Sequence, residues 1–310
     1  MIVHESLARD LARLVVWYPV RWGIRLLPPK LAYRLFNRMG DLYFHLSPKK
    51  RDRLITQMKS GLKGLIPEDS PYHRWARESF QTHYINQMQI FVFPFLTPAK
   101  MEQIHQFSGL EYLEKAQSEG KGVILLHGHF GPAHLTLHAL GLKGYPAMQI
   151  GLPTDEGLSW IGKNVAFRLR MKYEKKIAAE IIPATAFLRP ILEGLKEGKV
   201  IMTTGDGAGK GKKVGDFVSL PFLGGEMDFA EGPVKLARKT GAVLLPAFTL
   251  QTGPSSFVTL LHPPLDLTES RSADEVMSDW VTLFEKHLIK HPGFWHFWDE
   301  FDSRFKKDPP

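Results

Sequence analysis

The stretch that most constrains the fold is Gly122-Val-Ile-Leu-Leu-His-Gly-His-Phe-Gly-Pro-Ala-His134. Its apolar run is too short for a helix, is rich in branched residues and stops abruptly at histidines and glycines, so it reads as a buried strand. A helix is expected to start near Gly131 or Pro132 and to run to about Leu142. The alternation recurs downstream. Tyr145 to Gly151 is a candidate strand, and Leu188, Ile191, Leu192 and Leu195 mark a helix ending at Gly198. Val200-Ile-Met-Thr-Thr204 follows as a strand ending in Gly205-Asp206. Pro233 then opens a short helix, Val234 to Lys239, closed by Gly241 before the strand Ala242 to Phe248. Strands alternating with helices predict an α/β fold, a mostly parallel mixed sheet flanked by helices. Chemistry in such sheets collects at the carboxyl ends of the strands, where His127, His129 and Asp206 fall.

Residues 1 to 100 have a helical rather than an alternating pattern. Leu31, Leu35 and Met39 stand at helical spacing, Lys49-Lys50-Arg51 reads as a solvated helix start or a contact for lipid phosphate, and a further helix is expected from His73 to Phe93. Within the first 28 residues the apolar stretch Leu11 to Leu27 is broken by Arg13, Arg21 and Arg25. A membrane span needs about 20 nearly charge-free residues, and the arginines equally interrupt the apolar core of a cleavable signal peptide. An amphipathic helix remains, either lying on a membrane through Trp17 and Trp22 or packed on the body of the protein. The expected organisation is a helical, membrane-associating region over 1–100 and an α/β domain over 101–310, joined as one continuous globular unit.

Composition narrows the partners. The 310 residues, 44% of them hydrophobic, suffice for a large core, and the absence of cysteine removes disulfides and thiolate metal sites and suits the cytoplasmic side. A formal net charge of +8 calls for something anionic: nucleic acid, lipid headgroups or an acidic substrate. No nucleic-acid motif accompanies the charge, whereas 20 Phe and 7 Trp suit a membrane interface. The expected partner is therefore a membrane surface and not nucleic acid.

A histidine just past a buried strand, with a Gly turn and a helix amino terminus behind it, is well placed as a general base with backbone N–H donors close by. The alternative is a satisfied structural histidine. A zinc site is a third reading, because His127 and His129 form His-x-His while His134 and His138 share one helix face; no carboxylate accompanies them in the stretch. The glycine-rich run Gly205 to Lys213 departs from the phosphate-loop pattern, since no Ser or Thr follows its lysine. It is expected to be a loop over the site, with Lys210, Lys212 and Lys213 meeting an anionic carrier, or a plain solvated loop.

His129-Phe-Gly-Pro-Ala-His134 resembles the HFGNWE-type block of the bacterial lipid A biosynthesis (late) acyltransferases of the lysophospholipid acyltransferase superfamily. Further blocks stand in order: Phe167-Arg-Leu-Arg170, Leu188 to Val200, Asp206, Leu220-Pro-Phe-Leu-Gly224 and Gly232 to Ala242. The end Phe294-Trp-His-Phe-Trp298 with Arg304-Phe305 is also similar, and the resemblance spans roughly 10 to 305. It implies an enzyme without a cofactor, transferring a fatty acyl group from acyl carrier protein or coenzyme A to a hydroxyl or amine of a lipid-like acceptor, peripheral to the cytoplasmic face of the inner membrane. By the same resemblance His129 is the general base and Arg168 or Arg170 stabilises the oxyanion or binds an acceptor phosphate; Gly131 and Lys210 are further expected substrate contacts. Phe91 to Leu96 and Leu220 to Leu223 are the expected lining of an acyl groove. One departure is plain: where the family carries Asp or Glu, this chain has His134. Either His134 is a hydrogen-bond partner, Asp206 substitutes for the missing acid, which is the preferred reading, or the chain is a catalytically altered lipid-binding protein.

Overall fold

The computed structural model describes residues 6–151, 155–183, 188–207 and 215–306. It opens with helices α1 (Leu7–Val15), α2 (Arg21–Ile24), α3 (Pro29–Leu46), α4 (Pro48–Gly61) and α5 (Tyr72–Met88). Between α1 and α2 the chain makes one π-helical turn, Val16–Val20, around Pro19, whose missing N–H cannot close an ordinary helical bond. Ser6 caps α1 by accepting from the Arg9 amide, and prolines occupy the first turns of α3 and α4, where a lost N–H is harmless.

Helix α3 contains the residues whose spacing predicted it. Its inward face is Ala32, Tyr33, Phe36, Gly40 and Phe44, whereas Leu31 and Leu35 point to solvent. The inward set carries the aromatics, and burying those rings removes more apolar area than burying two leucines. Gly40 is required by the packing, because a Cβ there would lie 2.5 Å from the Gln81 Cα on α5. One correction concerns Trp17, expected at a membrane surface with Trp22. Trp17 is only 7% exposed and meets the Phe91 ring edge-on at 4.8 Å, while Trp22 stays in solvent.

Among the described residues ten strands follow: β1 (His105–Ser108), β2 (Val123–His127), β3 (Ala147–Gly151), β4 (Glu180–Pro183), β5 (Val200–Thr204), β6 (Phe217–Phe222), β7 (Gly225–Ala230), β8 (Val243–Gly253), β9 (Ser256–Leu261) and β10 (Phe305–Lys306). Seven build a mixed sheet in the order β1-β9-β8-β2-β5-β3-β4. Its pairs are parallel except β8 with β9, a hairpin. Strands β10, β7 and β6 form a small antiparallel sheet.

The central strand β2 is buried along its whole length, as a strand covered on both faces must be. Its side chains alternate between two cores. Ile124 and Leu126 enter one with Phe130, Trp280, Phe284 and Trp295; Val123 and Leu125 enter the other with Tyr33, Phe36, Phe91 and Leu137. The amino-terminal helices thus share cores with the sheet. Helices Ala133–Leu142, Arg189–Lys196 and Gly232–Thr240 connect the parallel strands, the last closed by Gly241 at φ 70°.

Candidate active site

The register of two neighbouring strands makes the site. His127 at the end of β2 pairs with Thr204 at the end of β5, and the Gly205 amide then donates to the His127 carbonyl. Two residues beyond the paired ends come His129 and Asp206. Neighbouring strands lie about 4.8 Å apart, so side chains leaving at equal height are within hydrogen-bond reach. His129 Nδ1 stands 2.8 Å from Asp206 Oδ1, and the His129 amide donates to Oδ2 at 2.8 Å. Gly128 permits this turn, since a Cβ there would come within 2.8 Å of the Phe284 ring.

Asp206 is fully buried. Burial opposes its ionisation, but the His129 ring and amide and the indole N–H of Trp295, 3.2 Å from Oδ2, together prevail and hold the carboxyl below the ordinary aspartate value. An ionised carboxylate can only accept, so His129 Nδ1 carries its proton and Nε2 keeps the lone pair. The His129 side chain is 31% exposed. A buried acid behind and an accessible basic nitrogen in front is the arrangement of an oriented general base.

Residues near the carboxyl end close over this pair. The Gly131 amide donates to the Phe294 carbonyl at 2.8 Å, and the His296 amide to the His129 carbonyl at 2.9 Å. Asn86 of α5 donates to the Gly131 carbonyl at 3.3 Å and reaches His296 Nε2 at 3.0 Å. The Phe297 ring lies 4.4 Å from the His129 ring, with the Arg304 guanidinium 3.6 Å from the Phe297 centroid; Arg304 also pairs with Glu300 and donates to the Asp206 carbonyl. Sequence reasoning assigned no roles to Trp295, Phe297, Arg304, Asn86 or His296. The aromatic density of 294–298 was the available signal.

Other expected site residues divide. His134 is half-buried in the first turn of its helix, and burial, followed by the charges of Arg170 and His129, pushes it down to about 4. It is neutral at neutral pH and makes no observed bond to His129; the acid beside His129 comes from just past β5. Arg170 lies close enough to act on His134 and is held by Glu174 at 2.7 Å and Gln87 at 2.9 Å, whereas Arg168 is exposed. Gly131 sits at φ 64°, but its N–H is committed to Phe294, which removes it as a free backbone donor to substrate. The neighbouring amides are engaged too, His129 with Asp206 and Phe130 with the Gly128 carbonyl. Lys210, with Lys212 and Lys213, lies outside the described residues.

The histidines do not converge as zinc ligands. His127 is bonded to the Gly128 carbonyl, His138 accepts from the Ala178 amide and stacks on Phe93 at 4.6 Å, and among the described residues no cluster of three or more candidate ligands forms. The expected groove walls are core as well: Phe91, Val92, Phe93, Leu96, Leu220, Phe222 and Leu223 are buried. A cavity of about 470 Å³ lies beside Phe222, between the β6–β7 hairpin and the helix Ala273–Lys290, and includes none of the site residues.

Residues 7–307 match the family model described as bacterial lipid A biosynthesis acyltransferase. A phosphatidylinositol mannoside acyltransferase of Mycobacterium tuberculosis is 23% identical over 303 residues, covering 93% of this chain and 87% of that protein. The lipid A biosynthesis lauroyltransferase of Escherichia coli is 22% identical over 293 residues, covering 94% and 90%. Among solved structures, the 1-acyl-sn-glycerophosphate acyltransferase PlsC of Thermotoga maritima aligns with 89% of this chain and 100% of its own at 15% identity and a TM-score of 0.38.

Proposed function

The chain belongs to the bacterial lipid A biosynthesis acyltransferase family, and from that premise we propose that His129 is the general base of an acyl transfer from a thioester, carried on acyl carrier protein or coenzyme A, to a hydroxyl or amine of an amphiphilic acceptor. Acyl transfer to a lipid acceptor is the activity common to the family and the named relatives. The His129–Asp206 pair carries the catalytic part of the proposal. Nε2 takes the acceptor proton as the acceptor oxygen or nitrogen attacks the thioester carbonyl. The tetrahedral intermediate collapses, the carbon–sulfur bond breaks, and the imidazolium returns its proton to the departing thiolate, giving acylated lipid and free thiol. Asp206 holds the tautomer and stabilises the imidazolium. Arg170 faces the oxyanion or an acceptor phosphate, His134 is a neutral neighbour of the base, and base catalysis supplies about a hundred to ten-thousandfold.

We place the reaction at the surface of an anionic membrane, on the cytoplasmic face of the inner membrane. Leu7, Leu11, Val15, Tyr18, Trp22 and Leu26 recur every three or four residues along α1, the π turn, α2 and the residues just after it, and all are exposed; Leu31, Leu35, Leu42 and Leu46, at steps of four and seven, are exposed on α3. Residues 6–51 hold ten Lys and Arg against two Asp, a surplus equal to the +8 of the whole chain. Apolar side chains flanked by arginine suit an interfacial helix drawn to anionic headgroups. No helix among the described residues is long and apolar enough to cross a membrane.

The test is transfer of a labelled acyl group from acyl carrier protein and, in parallel, from coenzyme A to lipid acceptors by the purified chain. Wild type transfers and a folded His129→Ala variant does not. A wild-type chain that binds lipid but transfers nothing from either donor would make it a binding protein.

A further inference from the structure

Three fully buried indoles lie in the carboxyl-terminal part of the fold, and their N–H groups end in different places. Trp280 donates to the Leu126 carbonyl at 3.2 Å and Trp298 to the Pro292 carbonyl at 2.7 Å. Trp295 donates at 3.2 Å to Oδ2 of Asp206, the ionisable partner of His129. The first two end on backbone carbonyls. The third touches the reaction.

Residues 294–297 form a strap paired with the loop that bears the base. Phe130 and Trp295 make an antiparallel bridge, flanked by the bonds from Gly131 to Phe294 and from His296 to His129. Alternation along this strap sends residues 295 and 297 to one side, where Trp295 meets Asp206 and Phe297 meets the His129 ring. The Trp295 ring is wedged against Trp298 at 5.0 Å and Phe222 at 5.8 Å, which fixes the direction of its N–H.

An aspartate carboxyl rotates in a broad torsional well, so its aim depends on its donors. Two of the three side-chain partners of Asp206 belong to His129 itself, its ring and its amide. Trp295 alone of the three comes from another part of the chain. We propose that Trp295 is a positioning residue for acyl transfer, its indole N–H pinning Oδ2 of Asp206 so that Oδ1 stays aimed at His129 Nδ1 while the ring gains and loses its proton. The proposal rests on His129 being the base.

The test compares Trp295→Phe, which keeps a buried ring and removes the N–H, with Trp298→Phe, which removes a neighbouring N–H that ends on a carbonyl. For Trp295→Phe kcat falls about tenfold, the size of one hydrogen bond to a charged group, at little-changed KM. The acid limb of its kcat/KM profile also moves, because one donor no longer competes with His129 for the carboxylate. Trp298→Phe, whatever its effect on stability, leaves the acid limb in place. Identical profiles for Trp295→Phe and wild type, or equal displacement in both variants, overturn the proposal. The unaltered protein gives a second decision by NMR: the Trp295 indole proton moves with pH along the acid limb while those of Trp280 and Trp298 do not, and a stationary Trp295 proton overturns it. Loss of transfer in His129→Ala with an unmoved Trp295→Phe profile sinks this proposal alone; retained transfer in His129→Ala sinks the base assignment and this proposal with it.

Discussion

Asp206→Asn is expected to abolish the base while sparing the fold, and the reason lies in the hydrogen-bond inventory. Oδ1 accepts from the His129 ring, and Oδ2 accepts from the His129 amide and the Trp295 indole. An asparagine has one oxygen and one NH2. If its oxygen faced the ring, its NH2 would confront two N–H donors in a site with no water access, at a cost of about 1–3 kcal/mol for each unmet group. Turned the other way, the oxygen accepts from both N–H groups and the NH2 donates to His129 Nδ1. All groups are then satisfied, so stability changes by about 1 kcal/mol or less. The imidazole, however, is forced to carry its proton on Nε2, the atom that must receive the acceptor proton. A locked wrong tautomer removes most of general-base catalysis, about a hundred to ten-thousandfold in kcat. Steady-state transfer measures the loss, urea unfolding checks the fold, and nitrogen NMR of the His129 ring reads the tautomer. Activity within about threefold of wild type, when base catalysis is worth at least about a hundredfold, would refute the role of the pair.

Gly131→Ala places a Cβ 1.9 Å from the Thr249 carbonyl oxygen at φ 64°, whereas Gly144→Ala, at φ 91°, meets nothing within 4 Å. Thermal unfolding should show about 3 kcal/mol or more lost for the first and about 1–2 kcal/mol, the left-handed penalty alone, for the second. Burial lowers His127 and His138 to about 4 and His105 and His296 to about 3. The unfolded chain binds these protons from about pH 6.5 downward while the native chain does not, so stability falls as pH drops from about 6.5 towards 4, by up to about 1.4 kcal/mol per unit for each histidine. Asp206, with a depressed native value, adds stability above the unfolded aspartate value that is lost only as pH falls through its native one. Urea unfolding across this range should show the slope, and His105→Gln should flatten it. Leu42→Glu with Leu46→Glu, on the exposed side of α3, should weaken sedimentation with anionic vesicles, as should raising the salt on wild type; unchanged binding in both would remove the membrane surface from the proposal.

The parallel core of the sheet was legible because β2 and β5 are short, buried runs rich in branched residues beside glycine, and β3 is a short segment between Pro146 and Gly151. Register explains why His129 and Asp206, each just past a strand end, were legible as candidates. The β6–β7 hairpin was not read, because Pro221, Glu226 and Asp228 break its apolar pattern and its pairing is only half-buried. Helix Ala273–Lys290 carries a plain sequence signal, the Ser272–Glu275 capping box. Trp17 and Trp22 are alike in sequence, and only packing against Phe91 separates them. The Trp295–Asp206 bond joins a loop to a strand end across 89 positions, a contact that spacing rules cannot encode.

That contact also orders events during synthesis. Strand β2 and its loop are made first, the acid just past β5 follows, and the strap that fastens both is made later than either. A growing chain can form its amino-terminal helices and much of the sheet while His129 is still without Phe297 beside it and Asp206 without its indole. On the proposed mechanism a competent base is assembled only once residues 294–297 have been made, and nascent or proteolytically shortened products that stop before residue 294 would hold His129 without Phe297 and Asp206 without its indole.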